Sequence, residues 1–329
     1  MRIVYMGTPD FAVAPLMKLI QSAHEVVAVV TQPDKPVGRG RTLTPPPVKT
    51  LALKNGLPVL QPEKIKGMAF DKELAVYSPD CIVVAAYGKI LPKEVLELPT
   101  YGCINIHASL LPKYRGAAPI QRAIIDAELK TGVSIMVMEE GLDTGAIISC
   151  EELDIIPDDD ASLVSNALSL LGAGLLIKEL DKIEKTGKIV STPQDESKAS
   201  YAPMLKKSDG LIDWTQSGDK IICHMMGMRP WPTAFSYRGK AKEMWKFLRA
   251  ESLKGFEKDY ADDGELVAKA APGTVTALVK GRGFLVRTGD QHLLITEAQP
   301  QGKRAMSGAD IINGNLLNVG DVFLSENNE

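Results

Sequence analysis

A repeated alternation in the first half of the chain narrows the possible folds most. RIVYMG (2–7), EVVAVVT (25–31) and CIVVAAY (81–87) are strand-length runs, apolar on both faces. Such runs suit parallel strands covered on each side. Between the first two, Thr8-Pro9-Asp10 reads as a helix start with Pro in its first turn, and Phe11 to Gln21 carries apolar residues at helical spacing. A helix (48–55), a short strand (57–60) and a helix (69–77) continue the pattern. The alternation predicts an α/β fold with a Rossmann-like, mostly parallel sheet. The first turn holds a single glycine, Gly7, rather than GxGxxG, and Asp10 at the helix mouth would repel a pyrophosphate. The pattern therefore predicts such a sheet without a dinucleotide.

The stretch from Gly102 to Arg122, GCINIHASLLPKYRGAAPIQR, carries the chemistry. Cys103, Ile104 and Ile106 make a buried strand, which Asn105 and His107 interrupt. Residues two apart on a strand share a face, so these two polar groups project together. Open α/β sheets place their sites at the carboxyl ends of strands. A hydrogen-bonded core pair fits Asn105 and His107 as well as a reaction centre does. Residues 132–153 read as two strands joined by the turn Gly141-Leu142-Asp143-Thr144-Gly145, and Asp143 taken alone is ordinary turn chemistry. Ala161 to Lys185 is a long amphipathic helix, with Asp158, Asp159 and Asp160 suited to its N-terminal end.

Residues 32–47, QPDKPVGRGRTLTPPP, form a long loop, and Lys35, Arg39, Arg41, Lys49 and Lys54 outnumber Asp34 around it. A solvated loop and a phosphate-gripping arm both fit this run. Polar, Pro-containing residues 187–207 are expected to link a catalytic domain (1–186) to a smaller, β-rich domain (208–329). There, strands at 211–214, 233–238, 242–252, 273–279, 283–288 and 292–299, with a helix near 218–227, predict an OB-like β-barrel. Its basic residues cluster locally, with Arg229, Arg238, Lys240, Lys242, Lys246 and Arg249 facing Glu243 alone.

The net charge of −3 announces no nucleic-acid partner, so any such surface must be local. Cys81, Cys103, Cys150 and Cys223 are scattered and read as buried hydrophobes of a reducing compartment, without disulfide or zinc spacing. No metal is expected. Met1-Arg2 leads directly into the first strand and no apolar run reaches bilayer length, so a cytoplasmic protein without a membrane partner is expected.

The central stretch resembles the formyltransferases that use 10-formyl-tetrahydrofolate. Asn105-x-His107 matches their Asn-x-His pair, Ser109-Leu110-Leu111-Pro112 their following segment, and Asp143 their Gly-x-Asp-Thr-Gly turn. Further matches run the length of the chain: Gly7 to Phe11, Thr31 to Arg41, Ala86-Tyr87-Gly88, Tyr114 to Gln121, Gly210 to Trp214, Arg229 to Pro232, and Gly302-Lys303 before Met306. Within the superfamily, the resemblance is to members whose acceptor is methionyl initiator tRNA.

The resemblance implies formyl transfer from 10-formyl-tetrahydrofolate to the methionyl amino group, for translation initiation. It implies Asn105, His107 and Asp143 as catalytic residues. Ser109, Leu110, Leu111, Pro112, Tyr87, Gly88 and Ile90 would bind folate, and Lys35, Arg39 and Arg41 would grip the tRNA acceptor end. A monomer is expected. Transfer to a small amine, or hydrolysis of the donor, would use the same Asn-His-Asp set. Neither explains the basic loop or the second domain.

Overall fold

The computed structural model describes residues 1–38, 40–65, 70–239, 242–253 and 270–324. Two compact units divide them. The first comprises Met1–Ile120, Leu129–Ile155 and Leu163–Met204; the second gathers 121–128, 156–162 and the chain from Leu205 onward.

In the first unit the apolar runs become the strands β1 (Arg2–Gly7), β2 (Glu25–Val30), β5 (Val59–Leu60), β6 (Cys81–Ala85) and β7 (Cys103–His107). Two further short strands, β3 (Lys35–Val37) and β4 (Thr42–Thr44), pair antiparallel as a hairpin within what reads from sequence as an unstructured loop. Then come β8 (Arg115–Gly116), β9 (Lys130–Val137), β10 (Ile147–Asp154) and β11 (Tyr201–Ala202). The main sheet runs β10-β9-β7-β6-β1-β2-β5. Strands β5, β2, β1, β6 and β7 are parallel, while β9 joins β7 antiparallel and β10 joins β9 antiparallel. Every residue of β6 and β7 is buried, as strands covered on both faces require.

Helices α1 (Val13–Ile20), α2 (Pro47–Lys54), α3 (Phe70–Ala75), α4 (Lys93–Leu96) and α5 (Pro119–Ile125) precede the 26-residue α6 (Ala161–Thr186). In length and composition α6 is long and apolar enough to cross a membrane, contrary to the sequence expectation that no apolar run reaches that length. It is nonetheless a core helix: Val164, Leu168, Leu176 and Leu180 are buried, and Ser169 Oγ donates to Phe11 O at 2.7 Å. A Cβ on Gly172 would lie 2.8 Å from Ile106 and 3.0 Å from Val133. That glycine lets α6 press against β7 and β9, the strands that frame the site described below. Of the cysteines, Cys81 and Cys103 are buried and Cys223 partly so, but Cys150 is exposed, because β10 is a half-exposed edge strand.

The second unit holds α7 (Gly218–Gly227), then β12 (Phe235–Arg238), β13 (Glu243–Ser252), β14 (Val275–Val279), β15 (Gly283–Arg287), β16 (His292–Gln299), β17 (Met306–Ser307), α8 (Gly308–Asn313) and β18 (Phe323–Leu324). All strand pairs are antiparallel, in the order β14-β15-β16-β13-β12-β18, with β17 beside β16. The sheet curls until its ends meet: Phe323 N donates to Gly273 O and Val275 N to Asp321 O, each at 2.8 Å. An aromatic cluster of Trp214, Trp245, Phe247, Phe284 and Phe323 fills it. Expected strand 211–214 reduces to one bridge, Leu211 to Phe235, because Asp213 accepts from Thr215 N and Gln216 Nε2 and turns the chain.

Candidate active site

The site grows from the carboxyl end of β7. Asn105 and His107 are 9% and 5% exposed, on one face of that strand. His107 Nε2 lies 2.9 Å from Tyr114 O. A carbonyl only accepts, so Nε2 carries the proton and Nδ1 is left with its lone pair open. Nδ1 faces Asp143 Oδ2 at 3.7 Å. Among the described residues the Asn105 amide has no hydrogen-bond partner, so its donors remain available beside the imidazole.

Beyond His107 the chain turns through Ala108 to Tyr114, and Ser134, opposite His107 on β9, fastens that turn. Ser134 Oγ donates to Ser109 O at 2.7 Å and accepts from Leu111 N at 3.1 Å. Ser109, fully buried, donates its own hydroxyl to Lys113 O at 2.6 Å. Its side chain is thus spent within the turn. Leu110 and Pro112 stay half-buried, and the Leu111–Pro112 peptide is cis.

Tyr87 and Gly88 follow β6, the neighbouring parallel strand. The Tyr87 ring is 1% exposed, its hydroxyl has no partner among the described residues, and burial pushes the phenol up to about 12. Its carbonyl accepts from Gln32 Nε2 at 2.9 Å and Thr8 Oγ1 at 3.2 Å. Gly88 has φ of +79°, and a Cβ there would sit 2.6 Å from Gln32 Nε2. Ile90, by contrast, is 81% exposed. Lys35 Nζ donates to Gln32 Oε1 at 2.7 Å at the root of the β3–β4 hairpin, and Arg41 is exposed near its tip. Arg39 and Lys240 lie outside the described residues.

Sequence reasoning gave no role to a third group, which anchors Asp143. Gly116 N donates to Asp143 Oδ2 at 2.8 Å. Gln194 Nε2 donates to the carbonyls of Asp143 and Gly145, while its Oε1 accepts from Arg115. Arg115 is fully buried and forks onto Glu196, which raises the guanidinium pKa further and lowers that of the carboxyl. Residues 192–202, expected as linker, therefore bond along the site: Thr192 pairs with Ile147, Ser200 Oγ accepts from Tyr114 N, and β11 pairs with β8. A polar, Pro-containing run carries no signal that one of its amides turns inward. Among the described residues no cluster of His, Cys, Asp or Glu could hold a metal ion.

The formyl transferase family profile matches residues 1–180, and the formyl transferase C-terminal domain profile matches 204–316. A methionyl-tRNA formyltransferase of Halalkalibacterium halodurans is 47% identical over 327 residues, covering 98% of each chain. That of Bacillus subtilis is 44% identical, covering 100% of this chain and 99% of its own. Among solved structures, HypX from Aquifex aeolicus in complex with tetrahydrofolic acid superposes with a TM-score of 0.63 at 18% identity. The match covers 97% of this chain and spans 48% of HypX, and at that identity it speaks for the fold alone.

Proposed function

The chain belongs to the formyl transferase family, among the methionyl-tRNA formyltransferases, and on that premise we propose that Asn105, His107 and Asp143 carry the transfer. The enzyme moves the formyl group of 10-formyl-tetrahydrofolate to the amino group of methionyl initiator tRNA. The amine attacks the formyl carbon, the carbonyl oxygen becomes an oxyanion, and the intermediate collapses with the C–N bond to the folate breaking. The amine loses one proton and the departing folate nitrogen gains one.

Fixed donors aimed at the oxyanion lower that barrier most. The uncommitted Asn105 amide supplies one. His107 takes the proton from the attacking amine at Nδ1, its Nε2–H being held by Tyr114 O, and Asp143 stands behind that proton. One observation carries this reading: the imidazole's committed nitrogen leaves the other facing a carboxylate, beside an amide with unused donors. Leu110 to Pro112 and Tyr87-Gly88 would wall the folate, with exposed Ile90 closing the rim. Lys35 and Arg41 would contact the tRNA acceptor end, as would Arg39. Residues 1–186 form the catalytic part in this reading, and 208–329 the part that binds tRNA. The enzyme works in the cytoplasm as a monomer.

Tetrahydrofolate release is the test, with methionyl initiator tRNA, elongator methionyl-tRNA, or no tRNA. Release confined to charged initiator tRNA, with formylmethionine recovered, is expected. Release without tRNA would make the chain a hydrolase and remove the acceptor role from the hairpin.

A further inference from the structure

We infer that Gln194 is a positioning residue for the reaction, its carboxamide fixing the Asp143 turn at its place beside His107. This rests on the role given to Asp143 above. Asp143 has φ of +53°, left-handed backbone that aspartate adopts more readily than most residues and that two neighbours fix here. It is held from two sides. Gly116 N holds the carboxylate at 2.8 Å, and Gln194 Nε2 holds the main-chain carbonyl at 2.8 Å.

The same amide nitrogen reaches Gly145 O at 2.7 Å, so both its protons go to carbonyls two residues apart. Its oxygen accepts from Arg115 Nε at 3.1 Å and Nη2 at 2.8 Å. Every hydrogen bond a carboxamide can make is made. Arg115 immediately precedes Gly116, so one side chain ties together the two segments that grip Asp143. A glutamate would lack donors for the carbonyls, and a lysine would lack an acceptor for the guanidinium. From Val190 to Lys198, Gln194 is the one residue that is not exposed. The separation it guards, 3.7 Å from Asp143 Oδ2 to His107 Nδ1, is just beyond hydrogen-bond length. A small shift of the turn therefore decides whether the two groups meet during proton transfer.

Two variants separate positioning from packing. Gln194→Glu keeps the size and Arg115's acceptor but sets an oxygen against the carbonyls of Asp143 and Gly145. Gln194→Met keeps the length with no amide, and either variant serves if the other fails to fold. Steady-state assays with both substrates are expected to show kcat lowered about tenfold or more, with each KM within about twofold. In an Asp143→Ala background, Gln194→Glu should cost no further kcat, because the clamp acts through that carboxylate. Either variant folding with kcat within about twofold of the parent, against an impaired Asp143→Ala, overturns the inference alone. An undiminished further loss in the Asp143→Ala background overturns it too. If Asp143→Ala itself turns over like the parent, the role of Asp143 falls and the inference with it.

Discussion

His107 and His292 are both buried histidines at strand ends, 5% and 3% exposed, one closing β7 and the other opening β16. Their surroundings differ completely. His107 has a carbonyl on Nε2 and a carboxylate facing Nδ1. Among the described residues His292 has no partner for Nε2, and burial, helped by Arg287 across the strand pair, pushes its pKa down to about 4. One ring is oriented with a single nitrogen left open beside a carboxylate; the other, among the described residues, has no acidic partner to stabilise its charge. Burial of a histidine thus says nothing about catalysis until its nitrogens are accounted for.

The comparison breaks first at β7. Asn105→Ala and His107→Ala each remove a group that the proposed mechanism sets at the reacting atoms, and kcat should fall on the order of a hundredfold or more. His292→Gln should leave turnover at neutral pH unchanged. Equal losses from His107→Ala and His292→Gln would show that both act through the fold. The supporting turn comes next in size. Ser134→Ala strips a buried hydroxyl from Ser109 O and Leu111 N, so denaturant melts should show a loss of about 1–3 kcal/mol. Unchanged stability would mean that the 108–114 turn holds without it.

His292 yields the next effect, and its sign follows from the direction of the shift. An unfolded histidine titrates near 6.5, roughly, whereas the folded one waits until about 4. Between those values the unfolded chain binds a proton that the folded chain refuses. Stability therefore falls as pH drops through that window, at up to about 1.4 kcal/mol per pH unit. His292→Gln should flatten this component, read as the difference between parent and variant in urea melts at pH 7, 6 and 5. Parallel curves would show that the folded ring takes up its proton as readily as the unfolded one, through a group that stabilises its charge.

How far the sequence carries these distinctions varies by residue. The alternating apolar runs place β1, β2, β6 and β7, because a strand buried on both faces has few other ways to read. The i, i+2 spacing puts Asn105 and His107 on one face, and the Gly-x-Asp-Thr-Gly turn marks Asp143 through resemblance. The second unit's strands β13, β15 and β16 also follow their apolar runs closely. Three things are not legible. The hydroxyl of Ser109 turns inward, because its bond to Lys113 O depends on how the 108–114 turn closes. The run 192–202 lies along the site through contacts with residues some eighty positions earlier, as Arg115 with Glu196 shows, and local patterning does not encode such pairings. The β3–β4 hairpin hides because Lys35, Pro36, Thr42, Leu43 and Thr44 face solvent, and a period of two shows only where alternate residues are buried.

That hairpin supplies the third kind of polar group, exposed and uncommitted. Its root is anchored: Lys49 Nζ meets both Asp34 oxygens at 2.8 Å, and Gln61 Nε2 donates to Asp34 and to Gln32 O. Those hydrogen bonds hold the Asp34 carboxyl below its ordinary range. The tip differs. Arg41 is exposed at φ of +48°, with no side-chain partner among the described residues. A guanidinium left in water on an anchored arm suits phosphate contact, which costs it little desolvation. Arg41→Ala should raise the KM for tRNA by a few-fold and flatten the log–log salt dependence by about 0.7 to 0.9. The folate KM and the melting temperature should stay at the parent's values, since neither the Gln32–Tyr87 bond nor the Asp34 anchor involves Arg41. This is the smallest effect of the set and the most specific in its salt signature. An unchanged tRNA KM at low salt would return the tip to ordinary solvated surface and leave recognition of the acceptor to the other basic residues.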